Sequence, residues 1–173
     1  LIPFDGILHL GILFIPFFVL VMLLMFSGGV IDGIDGLSGG IFAAIFSAYG
    51  GIAFFQNQID LAAFCGIIVG GILAFLWFNI PPARFYMGET GILGLTATLT
   101  VVAFLTKAVI VLPIIAFPLI AATGSVIIQL ISKKFFHRKV FRVAPIHHHF
   151  EALGWPAYKV TMRFWIISVV LAV

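Results

Sequence analysis

Charge is scarce in this sequence: Lys, Arg, Asp and Glu together make up 9% of its 173 residues, while hydrophobic side chains make up 63%. Soluble domains are about 45–50% apolar and about 25% charged, so a water-exposed globular domain is excluded. Cysteine is nearly absent, and the one thiol, Cys65, cannot form a disulfide within the chain. Internal repeats and low-complexity tracts are also lacking. What the chain has instead is apolar sequence from end to end, with a mean hydropathy of +1.28. A targeting peptide would supply one such run at the start, so the expected class is all-α, a polytopic transmembrane helical bundle.

About 20 apolar residues cross a bilayer core, and six runs approach that length: 7–26, 39–55, 61–78, 91–106, 108–131 and a shorter one at 160–173. Breakers fall between them, at Gly28-Gly29, Gly39-Gly40, Pro81-Pro82 and Pro145, whereas Pro16, Pro113 and Pro118 fall inside runs and predict kinks. Leu1 is not Met and the last apolar run stops at Val173, so the expectation is one transmembrane domain over 1–173, part of a longer protein. Six alternating spans put segments 27–38, 79–90 and 132–159 on one face, and 1–6, 56–60 and Lys107 on the other. Eight of the nine Lys and Arg residues sort to the first face or its margin: Arg84, Lys133, Lys134, Arg138, Lys139, Arg142, Lys159 and Arg163. The positive-inside rule makes that face cytoplasmic. It also accounts for the basic pI of about 9.3 without nucleic acid. Asp32, Asp35, Glu89, Glu151, His137 and His147 to His149 fall on the same face, leaving Asp5, Asp60 and His9 opposite. The polar chemistry of the chain is therefore expected in one cytoplasmic site.

Three clusters could carry that chemistry. In S-G-G-V-I-D-G-I-D-G-L-S-G-G, Ser27 to Gly40, the two aspartates stand three residues apart among glycines that let backbone approach a ligand. An acid-capped helix start explains one aspartate better than two, and an EF-hand lacks its further ligands. In F-N-I-P-P-A-R-F-Y-M-G-E-T-G, Phe78 to Gly91, the proline pair stops one span, Thr90 can cap the next and Glu89 sits at that helix's positive end. A plain interfacial connector would read the same way. In Lys133 to Glu151, the lysines suit lipid headgroups. Adjacent histidines share no helix face and make poor zinc ligands as a set, but suit phosphate donation or proton transfer near neutral pH. Two helix starts facing the cytoplasm favour a phosphate-bearing ligand. Asp32, Asp35 and Glu89 would repel one another without a cation, and magnesium bridges carboxylates to phosphates. Together these parts compose a phosphoryl-transfer site.

The residues D-G-I-D-G-L (Asp32 to Leu37), F-L-W-F-N-I-P-P-A-R-F-Y-M-G-E-T-G (Phe75 to Gly91), F-R-V-A-P-I-H-H-H-F-E-A-L-G-W-P (Phe141 to Pro156) and R-F-W-I-I-S (Arg163 to Ser168) resemble the phospho-N-acetylmuramoyl-pentapeptide transferases. These belong to the polyprenyl-phosphate N-acetylhexosamine-1-phosphate transferase superfamily. The A-P-I-H-H-H-F-E stretch is the most specific part; D-G-x-D-G is shared with relatives that transfer other sugars. The resemblance implies transfer of phospho-N-acetylmuramoyl-pentapeptide from a UDP carrier to undecaprenyl phosphate at the bacterial cytoplasmic membrane, giving lipid I and UMP with magnesium. It implies that Asp32 and Asp35 are the paired site aspartates, with Gly33 and Ile34 between them at the substrate. Glu89 falls at a metal-binding position, Asn79 and Tyr86 at positions contacting the uracil, and His147 and His148 near the diphosphate, with His149 completing the motif. The implied partners are the UDP-linked sugar-peptide, undecaprenyl phosphate and membrane lipid, with a homodimer left open. The family has ten spans, of which these are the last six.

The chain departs from the family pattern at several positions. Phe26, Gly29 and Ile31 replace two asparagines and a threonine, Glu89 replaces an aspartate, Ile92 replaces a serine, and the upstream D-D-x-x-K motif does not occur in these residues. Two other readings therefore stand beside the transferase: a related hexosamine-1-phosphate transferase, and a catalytically silent member that binds nucleotide-sugars. A transporter would place its acids mid-span, and here they lie at span ends.

Overall fold

A computed structural model describes residues 11–26 and 31–173. The expectations placed on Asp5, His9, Gly28 and Gly29, and on the side chain of Phe26, lie outside the described residues. Those described form helices and connecting turns, with no strand among them. In chain order they are α1 (Phe14–Phe26), α2 (Leu37–Phe55), α3 (Ile59–Asn79), α4 (Gly88–Leu105), α5 (Leu112–Ile115), α6 (Phe117–Phe136), α7 (Ile146–Ala152) and α8 (Ala157–Ala172).

Four of these, α2, α3, α4 and α6, are long and apolar enough to cross a membrane. Helices α1 and α8 are apolar but shorter, at 13 and 16 residues. The fifth expected span does not run as one kinked helix. A 3-10 turn at Val109–Val111 leads into the single turn α5, the backbone breaks at Ala116, and α6 then continues to Phe136. Both prolines account for this. Pro113 and Pro118 occupy first helical turns, where a missing N–H costs nothing. They start two helices instead of bending one. Pro16 likewise lies in the first turn of α1.

Helix α2 is central and packs against α3, α8 and α4. Ile41, Phe42, Ile45, Phe46 and Tyr49 are fully buried along it. Small residues let its neighbours come close: a Cβ on Gly40 would lie 2.0 Å from the Trp165 indole nitrogen of α8. The outer helices carry exposed apolar side chains, such as Phe64, Ile67 and Trp77 on α3 and Ile166 and Val170 on α8. In a bilayer such surface meets lipid tails. On the face away from the acidic loops, the Gln56 amide donates to the Thr106 carbonyl at 2.9 Å. The loops therefore gather at opposite ends of the bundle.

Candidate active site

Asp32 and Asp35 lie in the turn before α2 and not in its first helical turn. Gly36 ends that turn with φ +74°, a left-handed conformation that a side chain would strain. Asp32 then reaches two helix starts at once. Its Oδ1 accepts from the Ser38 hydroxyl at 2.6 Å in α2, and its Oδ2 accepts from the Gly88 N–H at 3.0 Å, the first residue of α4. A carboxylate is favoured at such ends because the unpaired N–H groups there carry partial positive charge. Glu89 follows Gly88 directly, exposed in the first turn of α4. Thr90 does not cap the helix, whose N-cap is Met87.

Asp35 faces the 80–87 loop. Its Oδ2 accepts from the Ala83 N–H at 3.0 Å and its Oδ1 from the Tyr86 hydroxyl at 2.8 Å. That hydrogen bond and the Asp35 charge raise the Tyr86 pKa, so the phenol stays a donor. Asn79 is buried and engaged by backbone: its Oδ1 accepts from the Gly36 N–H at 3.0 Å and its Nδ2 donates to the Phe85 carbonyl at 2.9 Å. It ties the acidic turn to the loop. Ile34 points into the core, 4% exposed.

The histidines occupy α7, a short helix that their sequence did not announce; the His147 and His148 ring centroids lie 4.4 Å apart, while His149 points away from them. His147 is fully buried, with neither ring nitrogen hydrogen-bonded among the described residues. Burial, and then the neighbouring His148, lower its pKa to about 4, so it is neutral at physiological pH. His148 pairs through Nδ1 with Glu151. His149 turns elsewhere, its Nδ1 accepting the Arg142 N–H at 3.1 Å. The first two meet the acidic turn. A Cβ built on Gly33 would stand 2.7 Å from His148 Nε2 and 3.2 Å from His147 Nε2. Residues more than a hundred positions apart thus share one centre with Asp32, Asp35 and the start of α4.

Several supporting contacts had no sequence signal of their own. The Thr161 hydroxyl donates to the Asp35 carbonyl at 3.1 Å and the Trp165 indole to the Gly36 carbonyl at 3.0 Å, so α8 fixes the acidic turn from behind. Ser125 accepts the Ile146 N–H at 2.9 Å and anchors α7 to α6. Ile31 and Ile92, the two isoleucines that depart from the polar residues of the resembled pattern, are buried in the apolar core.

Residues 1–107 match the family described as Glycosyl transferase family 4. The chain belongs to glycosyl transferase family 4. Among relatives of this family 4 chain, a phospho-N-acetylmuramoyl-pentapeptide-transferase of Rubrobacter xylanophilus is 42% identical over 163 residues, covering 91% of the chain and 49% of the relative. One of the same name from Listeria welshimeri is 44% identical, covering 99% and 54%, and one from a Geobacillus species is 43% identical, covering 90% and 49%. The chain spans about half the length of these curated relatives. With four helices able to span a bilayer, this family 4 chain is a membrane protein.

Proposed function

We propose that the protein transfers phospho-N-acetylmuramoyl-pentapeptide from its UDP carrier to undecaprenyl phosphate, producing lipid I and UMP. The observation that carries this reading is the meeting of His147 and His148 with Gly33, between Asp32, which reaches the starts of α2 and α4, and Asp35, which holds the 80–87 loop. The relatives' name, phospho-N-acetylmuramoyl-pentapeptide-transferase, supports it. The positive-inside sorting of Lys and Arg supports a cytoplasmic site in the bacterial inner membrane.

In this reaction an oxygen of undecaprenyl phosphate bonds to the sugar-bearing phosphorus, the bond to the bridging oxygen breaks, and its electron pair leaves with UMP. The helix starts turn their positive ends toward the charge that accumulates, while the Tyr86 O–H is committed to Asp35 and holds the loop in place. Asn79, which fixes Gly36 and Phe85, and Tyr86 shape the loop proposed to meet the uracil. Gly33 lets the imidazoles come up against the backbone of the acidic turn, Ile34 contributes backbone only, and His149 braces the segment leading into α7. Neutral His147 can donate one proton and accept another, which suits a phosphate oxygen in a dry pocket.

The donors suit magnesium. Among the described residues no three His, Cys, Asp or Glu side chains form a ready cage. Magnesium, however, uses one or two carboxylates, several waters and substrate phosphates. Each aspartate accepts two hydrogen bonds, which leaves part of the roughly four acceptor positions of a carboxylate. Glu89 with Asp32 or Asp35 would hold the ion, whose charge would neutralise the diphosphate. The test is Asp35→Asn in the full-length protein: UMP release should fall about 10²-fold or more with membrane insertion intact. Unchanged turnover would refute the assignment.

A further inference from the structure

On the far side of the segment that leads into α7, a cleft of about 360 Å³ opens along the C-terminal half of α6. Val126, Leu130 and Lys133 line one wall, and Lys139, Arg142 and Val143 line the other. Its floor is built firmly. The buried Gln129 amide accepts the Val140 and Phe141 N–H groups at 3.0 Å each and donates to the Phe141 carbonyl at 2.9 Å. That leaves the amide engaged and the cleft walls fixed relative to each other.

The walls are graded. Val126 and Lys133 are seven residues apart on one helix, a rise of about 10 Å, so apolar surface lies on the membrane side and cations at the cytoplasmic rim. No carboxylate lines the cleft, and the chain has no Asp or Glu between Glu89 and Glu151. The latter is itself paired with His148. Three cations converging without a counter-charge repel one another until an anion joins them. The Arg142 guanidinium also donates to the Ala152 carbonyl at 3.1 Å, which orients it and leaves other N–H donors for that anion. A free phosphate would satisfy the rim and ignore the apolar wall. A phosphate carried on an acyl chain uses both, and the bilayer supplies it at this depth.

We propose that this cleft binds a structural phospholipid of the inner leaflet, its anionic headgroup held by Lys133, Lys139 and Arg142 and its chain lying along Val126 and Leu130. The site is independent of the proposed transfer reaction, because its residues are not those of the acidic turn and its test reads lipid retention and not turnover.

The full-length protein is reconstituted in nanodiscs of phosphatidylcholine doped with phosphatidylglycerol, extracted gently and weighed by native mass spectrometry. Wild type should retain phosphatidylglycerol. The triple variant Lys133→Gln, Lys139→Gln, Arg142→Gln should retain it about tenfold less well or worse, given the attraction expected per basic residue near an anionic surface. Leu130→Trp, which fills the apolar wall without changing charge, should also lower retention, whereas Lys134→Gln, outside the cleft, should not. Retention unchanged in the triple variant would overturn the proposal. So would equal loss in Lys134→Gln, which would indicate only a diffuse basic belt, or displacement of phosphatidylglycerol by equimolar undecaprenyl phosphate, which would assign the cleft to the lipid substrate.

Discussion

At the scale of single residues, Gly33 and His147 are the informative positions. Any side chain at Gly33 must displace an imidazole, and His148, about one-third exposed at the surface of α7, can yield. Gly33→Ala should therefore leave thermal stability nearly unchanged while lowering nucleotide-sugar affinity about tenfold, read by calorimetric titration of the full-length protein. An unaltered dissociation constant would detach the histidines from the ligand. His147 carries a pH dependence. Its pKa is about 4 in the fold and about 6.5 in an unfolded chain. Between those values the unfolded chain binds a proton that the folded one refuses, so stability rises with pH through this window and is flat above it. Acidification from pH 7 to 5 should loosen α7, seen as faster amide exchange across Ile146–Ala152. His147→Gln should remove that dependence.

At the scale of elements, α2 and α8 approach closely at Gly40. Gly40→Ala would drive a methyl group into the Trp165 ring, and overpacking of this kind costs about 1–3 kcal/mol. Thermal unfolding in detergent should register the loss, and pairing it with Trp165→Phe should show strong coupling between the two sites. Helix α2 also marks what the sequence made legible. Its apolar run predicts Gly39 to Phe55 against the observed Leu37–Phe55, because length and hydrophobicity alone dictate a buried span. The region 108–116 was not legible. A proline inside an apolar run fits either a kink or a helix start, and only the packing of α5 against α8 decides between them. The gathering of Asp32, Asp35, Glu89 and the histidines on one face followed from span alternation and charge asymmetry. Their individual partners did not. The engagement of Asn79 by Gly36 and Phe85, and the reach of Thr161 and Trp165 to the acidic turn, depend on contacts between distant parts of the chain that no local pattern encodes.

At the scale of the molecule, the two sets of loops define a topology that chemistry can read. In a background with Cys65 replaced by Ala, Arg138→Cys should react with an impermeant maleimide only when the cytoplasmic side is open, and Asp60→Cys only from the other side. The reverse pattern would invert the bundle and move the proposed site out of the cytoplasm. The hydrogen bond from Thr161 to the Asp35 carbonyl joins residues separated by 126 positions. A ribosome that has finished α2 has therefore threaded both aspartates into the bilayer surface long before their anchor exists. The nascent chain must wait for α8 to be inserted before the acidic turn can take its final shape, so partial translation products should be integrated yet unable to grip the proposed nucleotide-sugar.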